Sequence, residues 1–90
     1  MPVTIYIPGS LSDWLGGKDE AVCSGGTIKE CLAHVDKVHA GFLNRISDGS
    51  GNPAGVIVFL NGENINNLLG FETPVKNGDQ IGIIPLAAGG

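Results

Sequence analysis

Apolar and polar positions alternate from the start of the chain: in "VTIYIP", Val3, Ile5 and Ile7 are interleaved with Thr4 and Tyr6, the period of a half-buried strand. Pro8-Gly9 ends it, and a polar stretch with Trp14 and Gly16-Gly17 follows. "DEAVCS" is a weaker strand candidate. The period then changes. In "GGTIKECLAHVDKVHAG", Ile28, Cys31, Leu32 and Val35 fall at i, i+3, i+4 and i+7, while Lys29, Glu30, Asp36 and Lys37 lie on other faces. Thr27 followed three residues on by Glu30 has the form of a capping box, so the helix is predicted to open at Thr27 and to lay one apolar stripe on a sheet.

"SDGSGNPAG" is turn-forming throughout and is expected to be a mobile surface loop. "VIVFLNGENI" reads as a strongly apolar strand ending in Asn61-Gly62, the dipeptide favoured in a type I′ hairpin turn. "NNLLGFETPV" is irregular with room for a helical turn, and "KNGDQIGIIP" is a turn and a last strand. The order is β-β-α-β-β, with a small extra strand near Ile65. One main helix on a mixed sheet is an α+β layout, and residues 1–90 are expected to form a single domain.

Composition agrees with a compact fold: 42% of residues are hydrophobic and 16% charged, too apolar for a disordered chain. Net charge is −4, and the five basic residues are scattered singly, so no stripe exists to neutralise nucleic-acid phosphates. Nucleic acid is therefore not an expected partner. The start, "MPVTIYIPGS", has neither a basic leader nor an apolar run of signal or membrane length, so no membrane partner and a cytoplasmic location are expected, with reduced thiols. Cys23 and Cys31 lack metal-ligand spacing and read as buried small hydrophobes.

Catalytic chemistry is hard to find in the body. His34 and His39 are five apart, roughly 140° around a helix, and would not share a metal there. Cys31 and His34 could touch, but no third residue orients them. "LGGKDE" fails as a phosphate loop, because Ser12 stands where the first glycine belongs and Asp19 where a Ser or Thr belongs. The body reads as a carrier, neither an enzyme nor a holder of a bound cofactor. Attention moves to the end, "PLAAGG". After the last strand come only small or aliphatic residues, so residues 86–90 are expected to project as a flexible tail. Ala88 and Gly89 suit threading through a tight channel, and Gly90 carries the free carboxylate. With 15 glycines in 90 residues, that ending alone decides little.

Strand parity supplies a docking surface. If Ile81 and Ile83 face the helix, Ile84 points away, and Val58 and Leu60 inward set Ile57 and Phe59 outward. Ile57, Phe59 and Ile84, with Leu86 at the root of the tail, would form an apolar patch for a partner.

The last third of the chain, with a strand ending in Asn61-Gly62, the "TPVKNGDQI" turn and a Gly-Gly end, resembles the MoaD/ThiS family of ubiquitin-like sulfur carrier proteins, most of all the cysteine-synthesis branch. The first two thirds agree in layout only. Ala87-Ala88 stands where Val-Ala is common in the family, and Asn77 where Asp is frequent. The resemblance implies a β-grasp fold and a cycle in which Gly90 is adenylated and converted to a thiocarboxylate that donates sulfur. ATP and Mg would be used by the activating enzyme. Partners would be an adenylating enzyme of the ubiquitin-activating type, a sulfur-accepting synthase and a metalloprotease that removes an adduct. Cysteine, molybdopterin, thiamin and thio-metabolite pathways stay open. So do a protein modifier joined to lysines through the same end and a plain binding module with an inert tail.

Overall fold

The computed structural model describes residues 2–49 and 51–86. Strands β1 (Val3–Tyr6), β2 (Glu20–Cys23), β3 (Val56–Leu60), β4 (Glu63–Asn64) and β5 (Gln80–Pro85) form one sheet in the order β2-β1-β5-β3-β4. β1 and β5 run parallel at its centre and the other pairs are antiparallel. A parallel neighbour needs a crossover, and helix α1 (Ile28–Val38) lies on it. This is the expected β-grasp, with a mixed sheet and one main helix packed on it.

The alternation at the chain start becomes burial: Val3, Ile5 and Ile7 are in the core, and Tyr6 is exposed. Register carries the same face across the sheet, since Ile5 lies opposite Ile81 and Val58 opposite Ile83. Ile28, Cys31, Leu32 and Val35 of α1 close this face, joined by Leu15, Phe42, Ile46, Ile65 and Phe71 from the connections. At about 25 cal/mol per Å² of apolar surface removed from water, such a cluster is the main favourable term of folding.

Helix α1 starts where the residues say it should. Thr27 Oγ1 accepts the Glu30 N–H at 3.2 Å, but Glu30 Oε1 reaches past the cap and accepts the N–H of Gly26 at 2.6 Å. The box is thus shifted by one residue at its return bond. Gly25 makes room for it: a Cβ there would sit 2.7 Å from Glu30 Cβ and 2.9 Å from the Cys31 nitrogen. The helix start is also tied to the distant turn, Ile28 N donating to Thr73 O and Val75 N to Gly26 O, each at 3.0 Å.

Several connections hold more structure than the pattern indicates. Gly9–Leu15 is a 3-10 helix that buries Leu15, and Ile65–Asn67 and Gly70–Glu72 are further 3-10 turns. A second helix, α2 (Phe42–Ile46), is absent from the sequence reading. At five residues it is too short for a helical period to appear. Asp36 organises it by accepting the N–H groups of Gly41 and Leu43 at 3.1 and 3.0 Å. The following loop is hydrogen-bonded, with Asp48 N donating to Asn52 O and Ala54 N to Ile46 O, both at 3.0 Å. The small extra strand is Glu63–Asn64, paired with β3 through a turn in which Asn61 and Gly62 both have positive φ, 51° and 86°. Two consecutive positive φ values are the mark of the type I′ turn.

Candidate functional site

The two motifs that carry the family resemblance, Asn-Gly after β3 and "KNGD" before β5, meet in space. Asn61 Nδ2 donates to Asp79 Oδ1 at 3.1 Å, and Asn61 Oδ1 accepts the Gln80 N–H at 2.9 Å. The other oxygen of Asp79 accepts the Lys76 N–H at 2.9 Å, and its backbone carbonyl accepts the Thr4 N–H at 3.1 Å. The Asn61 amide and the Asp79 carboxylate therefore tie the start of β5 to the end of β3, and the Asp79 backbone carbonyl ties it to β1. The Asn61 amide first, then the Lys76 N–H, hold the Asp79 carboxyl below the usual carboxylate range. Sequence reading used both motifs as family marks and missed their contact. Two Asn-Gly turns, one followed by Asp, were the available signal.

From that lock β5 runs along the sheet toward the chain end. Its inner residues Ile81 and Ile83 are buried, and Ile84 is half exposed on the other face. Ile57 lies directly opposite Ile84, and Phe59 opposite Gly82, with Tyr6 on the far side of Gly82. Since Gly82 has no side chain, Tyr6 and Phe59 flank an open strip of β5 backbone. Ile57 and Phe59 are half-buried, Ile84 and Leu86 exposed, and Leu60 packs partly against the core. Leu86 N still donates to Gly55 O at 3.0 Å, so the chain is tied to the sheet up to that residue. Ala88, Gly89 and Gly90 lie outside the described residues.

Among the described residues no cluster of His, Cys, Asp and Glu has the arrangement to hold a metal. His34 is occupied structurally, its Nδ1 accepting the Ser24 N–H at 2.9 Å. His34 and His39 nevertheless border one hollow, because His39 is the helix cap with φ −120° and ψ 79°, outside the helical geometry that the 140° separation assumes. Cys23 and Cys31 are both buried free thiols. Burial, and after it the neighbouring Cys31, push the Cys23 thiol up to about 12.

The sequence profile of the ThiS family matches residues 5–90. The chain belongs to the ThiS family. Sulfur carrier protein CysO of Mycobacterium tuberculosis (strain H37Rv) is 30% identical over the full length of both chains. A chain in the crystal structure of the BexX/CysO complex of Amycolatopsis orientalis matches this ThiS-family fold with TM-score 0.90 and 33% identity, covering 98% of this chain and 99% of that one. Small archaeal modifier protein 1 of Methanosarcina acetivorans gives TM-score 0.81 and 26% identity, with 98% and 95% covered. The ThiS-family relatives are thus small carrier proteins, and their fold is shared with a protein modifier. Among the described residues no helix is long and apolar enough to cross a membrane.

Proposed function

We propose that this protein is a sulfur carrier whose Gly90 carboxylate is adenylated and converted to a thiocarboxylate. The observation that carries the reading is the full-length likeness to CysO, with a family match running through residue 90. A terminal carboxylate, with a pKa of roughly 3.5, is ionised at neutral pH and resists nucleophiles. A Gly90 oxygen attacks the α-phosphorus of Mg-bound ATP on an activating enzyme and expels pyrophosphate. Sulfide then displaces AMP from the acyl-adenylate, leaving Gly90-COSH. Its sulfur is the nucleophile that a downstream synthase accepts. This chain supplies the handle and holds no ATP or metal itself, and the catalytic groups belong to its partners.

Ile57, Phe59, Ile84 and Leu86 serve as the docking surface for those partners. Their apolar atoms lie beside the strand that delivers the tail, and CysO is seen in complex with another protein, BexX. Ala88 and Gly89 thread the activating enzyme's channel. The test is reconstitution with a cognate adenylating enzyme, Mg-ATP and sulfide. Intact mass should rise by the difference between sulfur and oxygen, and only when Gly90 is present. An unchanged mass with a competent enzyme would leave a binding module.

The likeness to small archaeal modifier protein 1 favours a second reading, in which a lysine amine attacks the same adenylate. Tagged protein recovered from its host separates the two. A carrier is a single chain bearing COOH, COSH or a small adduct, whereas a modifier leaves Gly89-Gly90 remnants on lysines of other proteins.

A further inference from the structure

Strand β2 is at the edge of the sheet, and among the described residues no strand pairs with its outer side. The bond from Ile7 N to Asp19 O, 2.9 Å, sets the alternation: Asp19, Ala21 and Cys23 turn their backbone groups to β1, and Glu20, Val22 and Ser24 turn theirs outward. The Ser24 N–H is taken by His34. Glu20 and Val22 remain, offering two N–H donors and two carbonyl acceptors along a free edge. Alongside them, between β2 and α1, is a hollow of about 420 Å³. Ala21 and Val35 line it, as does Val38, which at 73% exposure is the most exposed large aliphatic among the described residues. His34 stands at the Ser24 end. Lys18 and His39 stand at the other, where His39 Cε1 comes within 3.3 Å of a Cβ built on Gly16.

Charge on this hollow differs from that of the whole. The chain carries −4, and the charged and titratable residues bordering the hollow are Lys18, Glu20 and two histidines. Glu20, paired opposite Tyr6, turns its side chain to the other face of the sheet, and Asp19 opens on a neighbouring hollow with Ser12 and Gly17. We propose that the β2 edge and this hollow bind an extended segment of a partner protein by strand addition, a segment with a branched aliphatic residue opposite Ala21 and an acidic residue toward Lys18 and His39. Main-chain bonds to Glu20 and Val22 hold it, and alternate side chains enter the hollow over Val35 and Val38. β1 and β5 separate this edge from Ile57 and Phe59 on β3, so a segment here does not compete with a partner on the β3 and β5 face. The inference rests on no part of the thiocarboxylate chemistry.

The probes are two capped peptides, acetyl-Asp-Asp-Val-Ile-Val-Ile-amide and acetyl-Val-Ile-Val-Ile-Asp-Asp-amide, which cover both strand directions, titrated into the isotope-labelled protein and followed by amide NMR. One or both should saturate, shifting Glu20, Ala21, Val22, Val38 and His39 and slowing amide exchange at Glu20 and Val22. Lysine in place of aspartate should weaken binding about tenfold, and N-methylation of the central peptide bonds should abolish it. Val38→Asp and Lys18→Glu should each weaken binding at least about fivefold with the thermal midpoint unchanged, because both positions are on the surface. The proposal is overturned if neither peptide saturates, if lysine and N-methyl peptides bind equally, or if the shifts fall on Tyr6, Phe59 and Ile84. Concentration-dependent self-association through β2 without peptide would also overturn it, giving the edge to a second copy.

Discussion

At the scale of single residues, the two thiols are held in a state that keeps them silent. Cys23 lies 1% exposed, its Sγ 3.5 Å from the Val3 carbonyl, and Cys31 is fully buried. Burial raises both thiols, so the nucleophilic thiolate is scarce at neutral pH. Iodoacetamide at pH 8 should therefore leave the native protein unlabelled and alkylate both cysteines in denaturant, as read by mass. An unfolded thiol ionises near pH 8.5, far below the value of about 12 at Cys23. Its stabilising contribution is thus complete below about pH 8.5 and is lost as pH rises toward 12. The urea midpoint should fall across that range, and fall less steeply in Cys23→Ala. Gly25 is a second residue-level constraint. Gly25→Ala would drive a methyl into Glu30 and the Cys31 backbone, and should cost roughly 1–3 kcal/mol by urea unfolding.

At the scale of elements, the turn before β5 is held by a side chain from the turn after β3. Asp79→Ala removes the acceptor for both Lys76 N–H and the Asn61 amide, and should destabilise by about 1–3 kcal/mol. Because these partners lower the Asp79 pKa, its ionised form contributes stability above about pH 4, and that contribution is lost as pH falls through the lowered value. The thermal midpoints of the native protein and Asp79→Asn should differ at pH 7 and converge toward the acid end. Element types were legible where a period or a cap recurred, as in β1, α1 and the Asn61-Gly62 turn. The 3-10 helix at Gly9–Leu15 and helix α2 were not, because one or two turns bury too few residues to show a repeat.

At the scale of the whole molecule, the proposed function places recognition and reaction in different parts. Phe59 and Ile84 belong to the outer face of the sheet, and their loss removes little core contact. Phe59→Ala and Ile84→Asp should each weaken binding to the activating enzyme by about 1–3 kcal/mol, measured by titration calorimetry, while circular dichroism stays native. Unfolding of both variants would mean that this face supports the fold. Deletion of Gly90 should do the reverse, abolishing conversion to the thiocarboxylate and leaving the thermal midpoint unchanged, because the bond from Leu86 N to Gly55 O still ties down the chain before it.

The sequence by itself determined what local periodicity and backbone chemistry dictate. The inward faces of β1, β3 and β5, the apolar stripe of α1, its Thr27 cap and the type I′ turn all follow from side-chain period or from φ preferences within a few residues. Parity along β3 and β5 likewise puts Ile57, Phe59 and Ile84 on the outer face, while the β3–β5 register sets Ile57 opposite Ile84. Only the tertiary structure decided what depends on contacts between distant segments. The parallel pairing of β1 with β5, the meeting of Asn61 with Asp79 and the occupation of His34 by Ser24 join residues far apart in the chain. It also decided that β2 lies at the edge, where among the described residues no strand pairs with the outward backbone groups of Glu20 and Val22, because strand order depends on which segments share the core, and no window of sequence contains that information.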